Sequence, residues 1–352
     1  MYKNFYQNKK VLVTGATGFK GSWLCLWLNM LGAKVYGIGY NPNNNKNLFY
    51  QLKLNKKIKV FHCDIKNLEK LSKIIKRTKP TIIFHMAAQP LILEGYKKPL
   101  ETYMVNTVGT LNILDIIRNC NFVRSVVCIT SDKCYQSNNS TKGFIESDKL
   151  GGEDPYSGSK ASAEIIINSY IKSFFQKKKN LGLASARAGN VIGGGDWSKN
   201  RLVPDCIKSL NKNKTIFLRN PNFNRPWQHV LEPLNGYLIL GMKLFNSPQK
   251  YSGAWNFGSR KNTVTNVLTI VKQIIRIWGK GKLKYLKKKK YYEQTNLQLS
   301  ILKANRLLKW HPKLSIANSV KITVNWYKLV MLKKDKPVDV TEKQIIDYMN
   351  EK

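Results

Sequence analysis

The chain has 352 residues, enough to bury a large core as one big domain or two coupled ones, and its 43% apolar and aromatic content is that of a globular protein. Nothing in the composition suggests collagen or a disordered tail, no run of about 18 apolar residues offers a membrane span, and the start MYKNFYQNKK lacks the apolar core of a signal peptide. The 60 Lys and Arg against 20 Asp and Glu give a net charge of +40, which raises the question of an anionic partner.

Short apolar runs alternate with amphipathic ones from the first residues. KVLVTG (10–15) reads as a strand and FKGSWLCLWLNMLG (19–32) as a helix stopped at Gly32. Further strands are expected at 33–40, 58–64, 81–87 and 124–130, with helical patterns at 67–77, 99–119 and 156–176. Strands alternating with helices imply βαβ units, hence a parallel sheet covered on both faces, and ligands in such sheets bind beyond the carboxyl ends of the strands. The expected fold class is therefore α/β: a Rossmann-type doubly wound parallel sheet followed by a smaller substrate-binding α/β part. Residues 1–188 form the dinucleotide-binding domain in this reading, 189–335 mainly the substrate-binding part with some segments returning to the sheet, and 336–352 a C-terminal tail. Helices are expected near 262–277 and 315–331.

VTGATGFKGSWL places Gly15, Gly18 and Gly21 between the first strand and the first helix. Such glycines give a tight turn and let backbone N–H groups approach a pyrophosphate at a helix N-terminus, so this is a dinucleotide site. The acidic residue usual at the end of the second strand is replaced by Tyr40 and Asn41, so the fingerprint alone does not choose NAD over NADP. YSGSKASAE puts Tyr156 and Lys160 four residues apart, on one face of a helix. A nearby ammonium favours the phenolate and is expected to lower the tyrosine pKa. ITSDKCYQ ends a buried strand in Ser131, Asp132 and Lys133: a hydroxyl, a carboxylate and an amine where a ligand would sit.

Together these motifs resemble the extended short-chain dehydrogenase/reductase superfamily, the NAD-dependent epimerases and dehydratases of nucleotide-sugars. The Asp-Lys pair, with HMAAQPL, DPYSGSKASAE, ARAGNVIGGGDW, RLVPD and RPWQHVLEPLNGY, is similar to CDP-glucose 4,6-dehydratases, and the resemblance runs from about residue 9 to 330. It implies NAD as cofactor, held by Gly15, Thr17, Gly18, Phe19, Lys20 and Gly21, by Asp64 and Ile65, by Ala87, Ala88 and Gln89, and by Asn106, Tyr156 and Lys160. It implies CDP-glucose as substrate and CDP-4-keto-6-deoxyglucose as product, an entry to the deoxysugars of surface polysaccharide. Tyr156 takes the C4 hydroxyl proton as hydride leaves C4, neutral Lys133 or a water it holds removes the C5 proton, Asp132 protonates the departing C6 hydroxyl, and Ser131 orients the sugar. Asn190, Arg201, Arg219 and Arg225 are the implied substrate contacts. A lysine base needs a lowered pKa and an aspartic acid a raised one, so a direct Asp132–Lys133 ion pair is not expected. The resemblance also implies a homodimer built on helices near 99–119 and 156–176.

The sequence departs from the family pattern at Leu93, in place of an arginine, at Phe144 and Ile145, in place of Tyr-Arg before the retained Glu146, and at Ser300. These departures bear on affinity, nucleotide choice and dimer contacts more than on reaction type. The alternatives are a dehydratase or epimerase of another nucleotide-sugar, or a catalytically decayed NAD- or RNA-binding relative. The lysines are scattered, and the densest run, KYLKKKKYY (284–292), reads as a solvated loop, so no nucleic-acid partner is expected. Six dispersed cysteines fit reduced thiols in a cytoplasm, His229 reads as structural, and no metal set is visible.

Overall fold

Seven short segments pair into one all-parallel sheet in the computed structural model, which describes residues 2, 4–40, 47–137, 143–218, 220–260, 265–285 and 298–351. The strands are β1 (Lys10–Thr14), β2 (Lys34–Gly39), β3 (Lys59–His62), β4 (Ile82–His85), β5 (Ser125–Ile129), β6 (Gly182–Ala188) and β7 (Gly253–Phe257). Their order is β7-β6-β5-β4-β1-β2-β3, with Val11 opposite both Val35 and Ile82. The sheet starts at its centre and winds outward to each side, so the crossover falls between β1 and β4.

Alternation of side chains decides which helix covers which face. Val11, Val13, Phe84, Val127, Ala184 and Ala186 face a core shared with α1 (Phe19–Met30), and Leu12, Ile83, Val126 and Leu183 face the opposite one. The second layer holds α2 (Leu68–Thr78), α3 (Gly109–Arg118) and α4 (Pro155–Tyr170). The helix expected over 99–119 is not uniform: Pro99–Tyr103 and α3 are joined by a π-helical turn, Met104–Val108, which turns Asn106 into the protein. Such one-turn bulges accompany functional sites.

Between β6 and β7 the chain builds a short parallel pairing of Val191–Ile192 with Gln228–His229, α5 (Leu202–Asn211) and α6 (Leu231–Asn246), then returns Gly253–Phe257 to the sheet edge beside β6; Ile216–Leu218 and Asn224–Arg225 pair with segments that follow β7, Leu283–Tyr285 and Thr265–Asn266. Helices α7 (Val267–Trp278) and α8 (Ile316–Met331) follow. Segment 336–352, expected to be a tail, contains a helix, α9 (Pro337–Asn350), that packs on α1, with the Tyr348 ring edge-on to Trp27 at 5.8 Å. All six cysteines are buried and free. Arg219 and Lys287–Lys290 lie outside the described residues.

Candidate active site

The glycines of the fingerprint are fixed by close backbone approaches. Gly15 has φ +71°, and a Cβ there would lie 2.8 Å from the Ala87 backbone nitrogen. A Cβ on Gly21 would stand 2.0 Å from the Gly15 carbonyl oxygen. Gly18 caps α1, whose first turn carries no acidic residue and whose cap offers no side-chain acceptor, so its N–H groups are left for an anion. These residues fit a dinucleotide pyrophosphate: the cradle is one that side chains would fill.

Behind this loop lies a hydrogen-bond chain that fixes the ends of β1 and β4. The Thr14 hydroxyl accepts from the Met86 and Ala87 N–H groups at 3.1 and 3.2 Å, so its own proton goes to His85 Nδ1 at 2.7 Å. His85 Nε2–H then donates to Thr110 Oγ1 at 3.1 Å, which donates to the Asn106 carbonyl. Burial, assisted by the Lys160 charge, pushes His85 down to about 3, so the ring is neutral. Asn106 clamps the next turn: its Oδ1 accepts from Gln89 N–H at 2.8 Å, and its Nδ2 donates to the Gln89 carbonyl and to Ser159 Oγ. Through Ser159 this ties the β4 end to the helix that carries Tyr156 and Lys160.

Of the other expected cofactor residues, Thr17 packs against Gly39, Phe19 against Gly193, and Ile65 against Gly109. Asp64 holds the turn after β3 by accepting from Lys66 N–H at 2.9 Å. Ala88 lies in the β4-end loop between Ala87 and Gln89. Lys20 is directed inward, where its ammonium donates to Tyr237 OH at 3.1 Å, and burial, with the charges of Lys160 and Arg201, brings its pKa down to about 7.

The opening of α4 is held by Asp154, whose Oδ1 accepts from the Tyr156 and Ser157 N–H groups, with Pro155 at the first position. Tyr156 and Lys160 are thereby buried facing the end of β5. The expected lowering of Tyr156 is not what the structure gives. Burial raises the phenol to about 12, against the opposing effects of a Ser131 hydrogen bond and the Arg201 charge. Lys160 Nζ instead donates to the Ile129 carbonyl at 3.3 Å, and burial lowers it to about 8.

Ser131, Asp132 and Lys133 leave β5 in a single 3-10 turn, and all three are buried. Ser131 Oγ accepts from Lys133 N–H at 3.2 Å and donates to Asp132 Oδ1 at 3.0 Å. The Asp132 carboxyl is pressed against Gly189, where a Cβ would lie 3.1 Å from Oδ2. Burial raises its pKa, although Lys133, the Ser131 hydroxyl and Arg225 all pull it down. Among the described residues no ion pair joins Asp132 to Lys133, and no hydrogen bond or ion pair occupies the Lys133 ammonium. The expected absence of a direct Asp132–Lys133 ion pair is what the structure has, although the Lys133 charge still acts on Asp132. Arg225 is buried close enough to act on Asp132, and Arg201, 3.5 Å from Asp196, acts on Tyr156 and Lys20. Asn190 lies beyond β6, its carbonyl accepting from Gln228 N–H. His229 is a core residue: its Nδ1 accepts from Leu231 N–H and its ring meets Trp23 edge-on.

One group of residues at the site was not anticipated. Glu164, one turn beyond Lys160, pairs with Arg187 of β6 at 2.8 Å, and both side chains are buried. Glu164 also accepts from Thr130 and Ser185, while Arg187 donates to Tyr135 OH at 2.7 Å and to the Glu146 carbonyl at 3.0 Å. The signal in the sequence was Arg187 itself, a cation in the middle of the small-residue run GLASARA, which demands a buried partner.

A sequence profile described as GDP-mannose 4,6 dehydratase matches residues 12–323 of the chain. The protein belongs to this dehydratase family. A curated relative named CDP-glucose 4,6-dehydratase, from Salmonella typhimurium, is 42% identical over 353 residues, covering 99% of this chain and 98% of the relative. The fold is shared with a Bacillus anthracis dTDP-glucose 4,6-dehydratase solved with NAD, at a TM-score of 0.78 and 23% identity over 92% of this chain and 98% of that one. It is shared as well with the Streptomyces venezuelae dehydratase DesIV, at a TM-score of 0.78 and 20% identity over 92% and 98% of the two chains.

Proposed function

We propose that this protein is an NAD-dependent CDP-glucose 4,6-dehydratase, converting CDP-glucose to CDP-4-keto-6-deoxyglucose and water. The observation that carries the reading is the buried Ser131–Asp132–Lys133 turn facing Tyr156 and Lys160, with the Asp132 carboxyl biased toward its protonated form. A simple epimerase eliminates no water and has no use for such an acid. The 42% identity to a CDP-glucose dehydratase along almost the whole of both chains supports the same substrate.

NAD would be held at the Gly15–Gly21 loop and, when bound, would supply the hydride acceptor and donor that the reaction needs. Tyr156, close to the Ser131 hydroxyl, accepts the proton of the C4 hydroxyl, and Lys160 supports the charge change from the adjacent turn of α4. The resulting 4-ketone acidifies the C5 proton, which Lys133 removes. Asp132 donates its proton to the C6 hydroxyl, which leaves as water. Lys133 gives its proton back to C5 when C6 receives hydride. The hydride lost from C4 is regained at C6, so there is no net oxidation, and the C4 hydroxyl proton taken by Tyr156 balances the one Asp132 delivers to water. Arg225 and Arg201 bring positive charge to the same chamber and suit the diphosphate of the sugar nucleotide; Asn190 and Arg219 complete the assigned substrate contacts.

The protein acts as a homodimer in this reading. Leu100, Tyr103, Met104, Ile165 and Phe174 are exposed apolar side chains on the neighbouring helical stretches 99–118 and 155–175, the pair of helices expected to meet a second copy. Six free, buried cysteines support a reducing, cytoplasmic setting. Residues 1–188 carry the cofactor and 189–335 most of the substrate contacts.

The test is incubation of the purified protein with NAD and a panel of nucleotide-glucoses, followed by product mass. Loss of one water from CDP-glucose, without net reduction of the cofactor, is expected. Dehydration of a different nucleotide-glucose alone would overturn the substrate, and no dehydration of any would overturn the reaction.

A further inference from the structure

A buried charged network brackets the acid–base turn, and the mechanism above makes no use of it. Thr130 immediately precedes Ser131 and donates to Glu164; Tyr135 immediately follows Cys134 and accepts from Arg187 at 2.7 Å. Glu164 and Arg187 are paired at 2.8 Å, so the two ends of the turn close on one ion pair. Tyr135 OH donates on to Asn256 Oδ1 at 2.7 Å, and the Asn256 N–H donates to Glu146 Oε1 at 3.0 Å, which anchors the bracket to β7. The ring of Tyr135 lies beneath the guanidinium at 4.8 Å and is stacked on Phe144. Glu164 and Arg187 thus join α4, the end of β5, β6 and the residue that follows the turn.

Stability does not account for this arrangement. Desolvating two charges offsets their attraction, and apolar replacement of both members of a buried pair is often neutral, so the best-attested use of such a pair is to fix register. What it fixes here is the position of Asp132 and Lys133 relative to α4. Tyr156 is held by the Asp154 cap and Lys160 by the Ile129 carbonyl, so Glu164 reaches Lys160 through its charge and not through a bond.

We propose that Glu164 and Arg187 are positioning residues for the elimination half of the reaction, clamping the Ser131–Cys134 turn at both ends so that Asp132 meets the C6 hydroxyl and Lys133 the C5 proton. The proposal rests on the dehydratase reading. It separates oxidation at C4, which needs Tyr156 and Lys160, from loss of water, which needs the clamped turn.

The test uses full-length protein carrying Glu164→Met with Arg187→Met, which leaves no unpaired buried charge, and Tyr135→Phe as a milder second variant. Folding is followed by circular dichroism and NAD affinity by calorimetry. Two reactions are followed with CDP-glucose: accumulation of reduced cofactor, which reports C4 oxidation, and loss of water by mass. Displacement of reacting groups by about 1 Å costs on the order of 10²-fold. The double variant is expected to lose dehydration by about that factor, with oxidation reduced by less than about tenfold, so that reduced cofactor accumulates. A CDP-glucose analogue with a better leaving group at C6 is expected to recover much of the deficit, because it needs the acid less. A folded double variant with wild-type dehydration would overturn the proposal. So would equal loss of oxidation and elimination, which marks a purely structural role. If the double variant does not fold, Tyr135→Phe decides by the same criteria. A wild-type protein that dehydrates another nucleotide-glucose refutes the CDP assignment, and the clamp is then judged on that substrate; one that dehydrates none refutes the reaction and the clamp together.

Discussion

Replacing Gly15 by alanine tests the tightest prediction of the cofactor loop. The backbone there has φ +71°, and the new Cβ would sit 2.8 Å from Ala87 N, 2.9 Å from Ala87 Cα and 2.9 Å from the Met86 carbonyl carbon. A left-handed conformation costs an L-residue about 1–2 kcal/mol. Forcing a methyl into packed backbone adds about 1–3 kcal/mol, and the smaller unfolded-state entropy of alanine returns about 0.4–1 kcal/mol. The sum is a loss of about 1–5 kcal/mol. Gly279 is the internal control, because it has φ +102° with nothing within 4 Å of its Cβ position. Gly279→Ala is expected to cost no more than about 1–2 kcal/mol, the backbone penalty alone. Urea unfolding of the two variants measures the difference, which isolates the contact with the β4 end. Gly15→Ala should also weaken NAD binding, since Met86 and Ala87 cannot move without disturbing their bonds to Thr14. Equal costs for the two alanines, with unchanged NAD affinity, would refute the close approach of loop and strand end.

Asp132→Asn removes the proposed acid, and dehydration should fall by about 10²–10⁴-fold with NAD affinity unchanged. The same variant should be more stable than wild type at pH 7. The folded carboxyl is raised above its ordinary value, so the cost of ionising it is complete above its folded pKa and relieved as pH falls through it; urea unfolding at two pH values checks the sign. Lys160→Met should also stabilise the fold while abolishing turnover. Lowering a lysine from 10.5 to about 8 by burial corresponds to a penalty of about 3 kcal/mol as an upper bound, complete below pH 8 and relieved as pH rises from about 8 to 10.5. The gain from Lys160→Met should therefore vanish in alkaline unfolding experiments. Lys20→Met keeps a side chain of similar length but removes the ammonium that donates to Tyr237 beside Lys160; titration of NAD into the variant should show weaker binding and a smaller dependence on salt.

The sheet was legible because five of its strands are apolar runs of strand length set between amphipathic helices. The strand at Gly182–Ala188 was not. It is built from Gly, Ala, Ser and one Arg, with little of the β-branched bulk that marks a strand. It forms because a central position between β5 and β7 demands small side chains; a Cβ on Gly182 would lie 2.8 Å from the Leu244 side chain. Helix α6 was missed for a related reason: it is buried almost all round, so no polar stripe reveals its period. At the site, the chemical groups were legible because each falls at a strand end or on a helix face set by spacing. Their proton affinities were not. The Tyr156–Lys160 spacing predicts a lowered phenol, but burial outweighs it, and burial is a property of the whole fold.

The departures from the family pattern take their meaning from the same network. Phe144 lies flat on Tyr135, ring centroids 4.8 Å apart and planes 9° from parallel, and its backbone joins Leu299 in an isolated bridge. The stack needs an aromatic face there and makes no demand on a hydroxyl. Asn256 Nδ2 donates to the Phe144 carbonyl at 2.9 Å, a contact that is independent of the side chain. Glu146, the residue retained, is the one whose side chain is used, accepting from the Asn256 N–H. Ile145 between them is exposed, and an arginine there would reach outward, away from Arg187. The side chains at 144 and 146 thus meet the network, through the Tyr135 ring and the Asn256 N–H, while the one at 145 faces solvent.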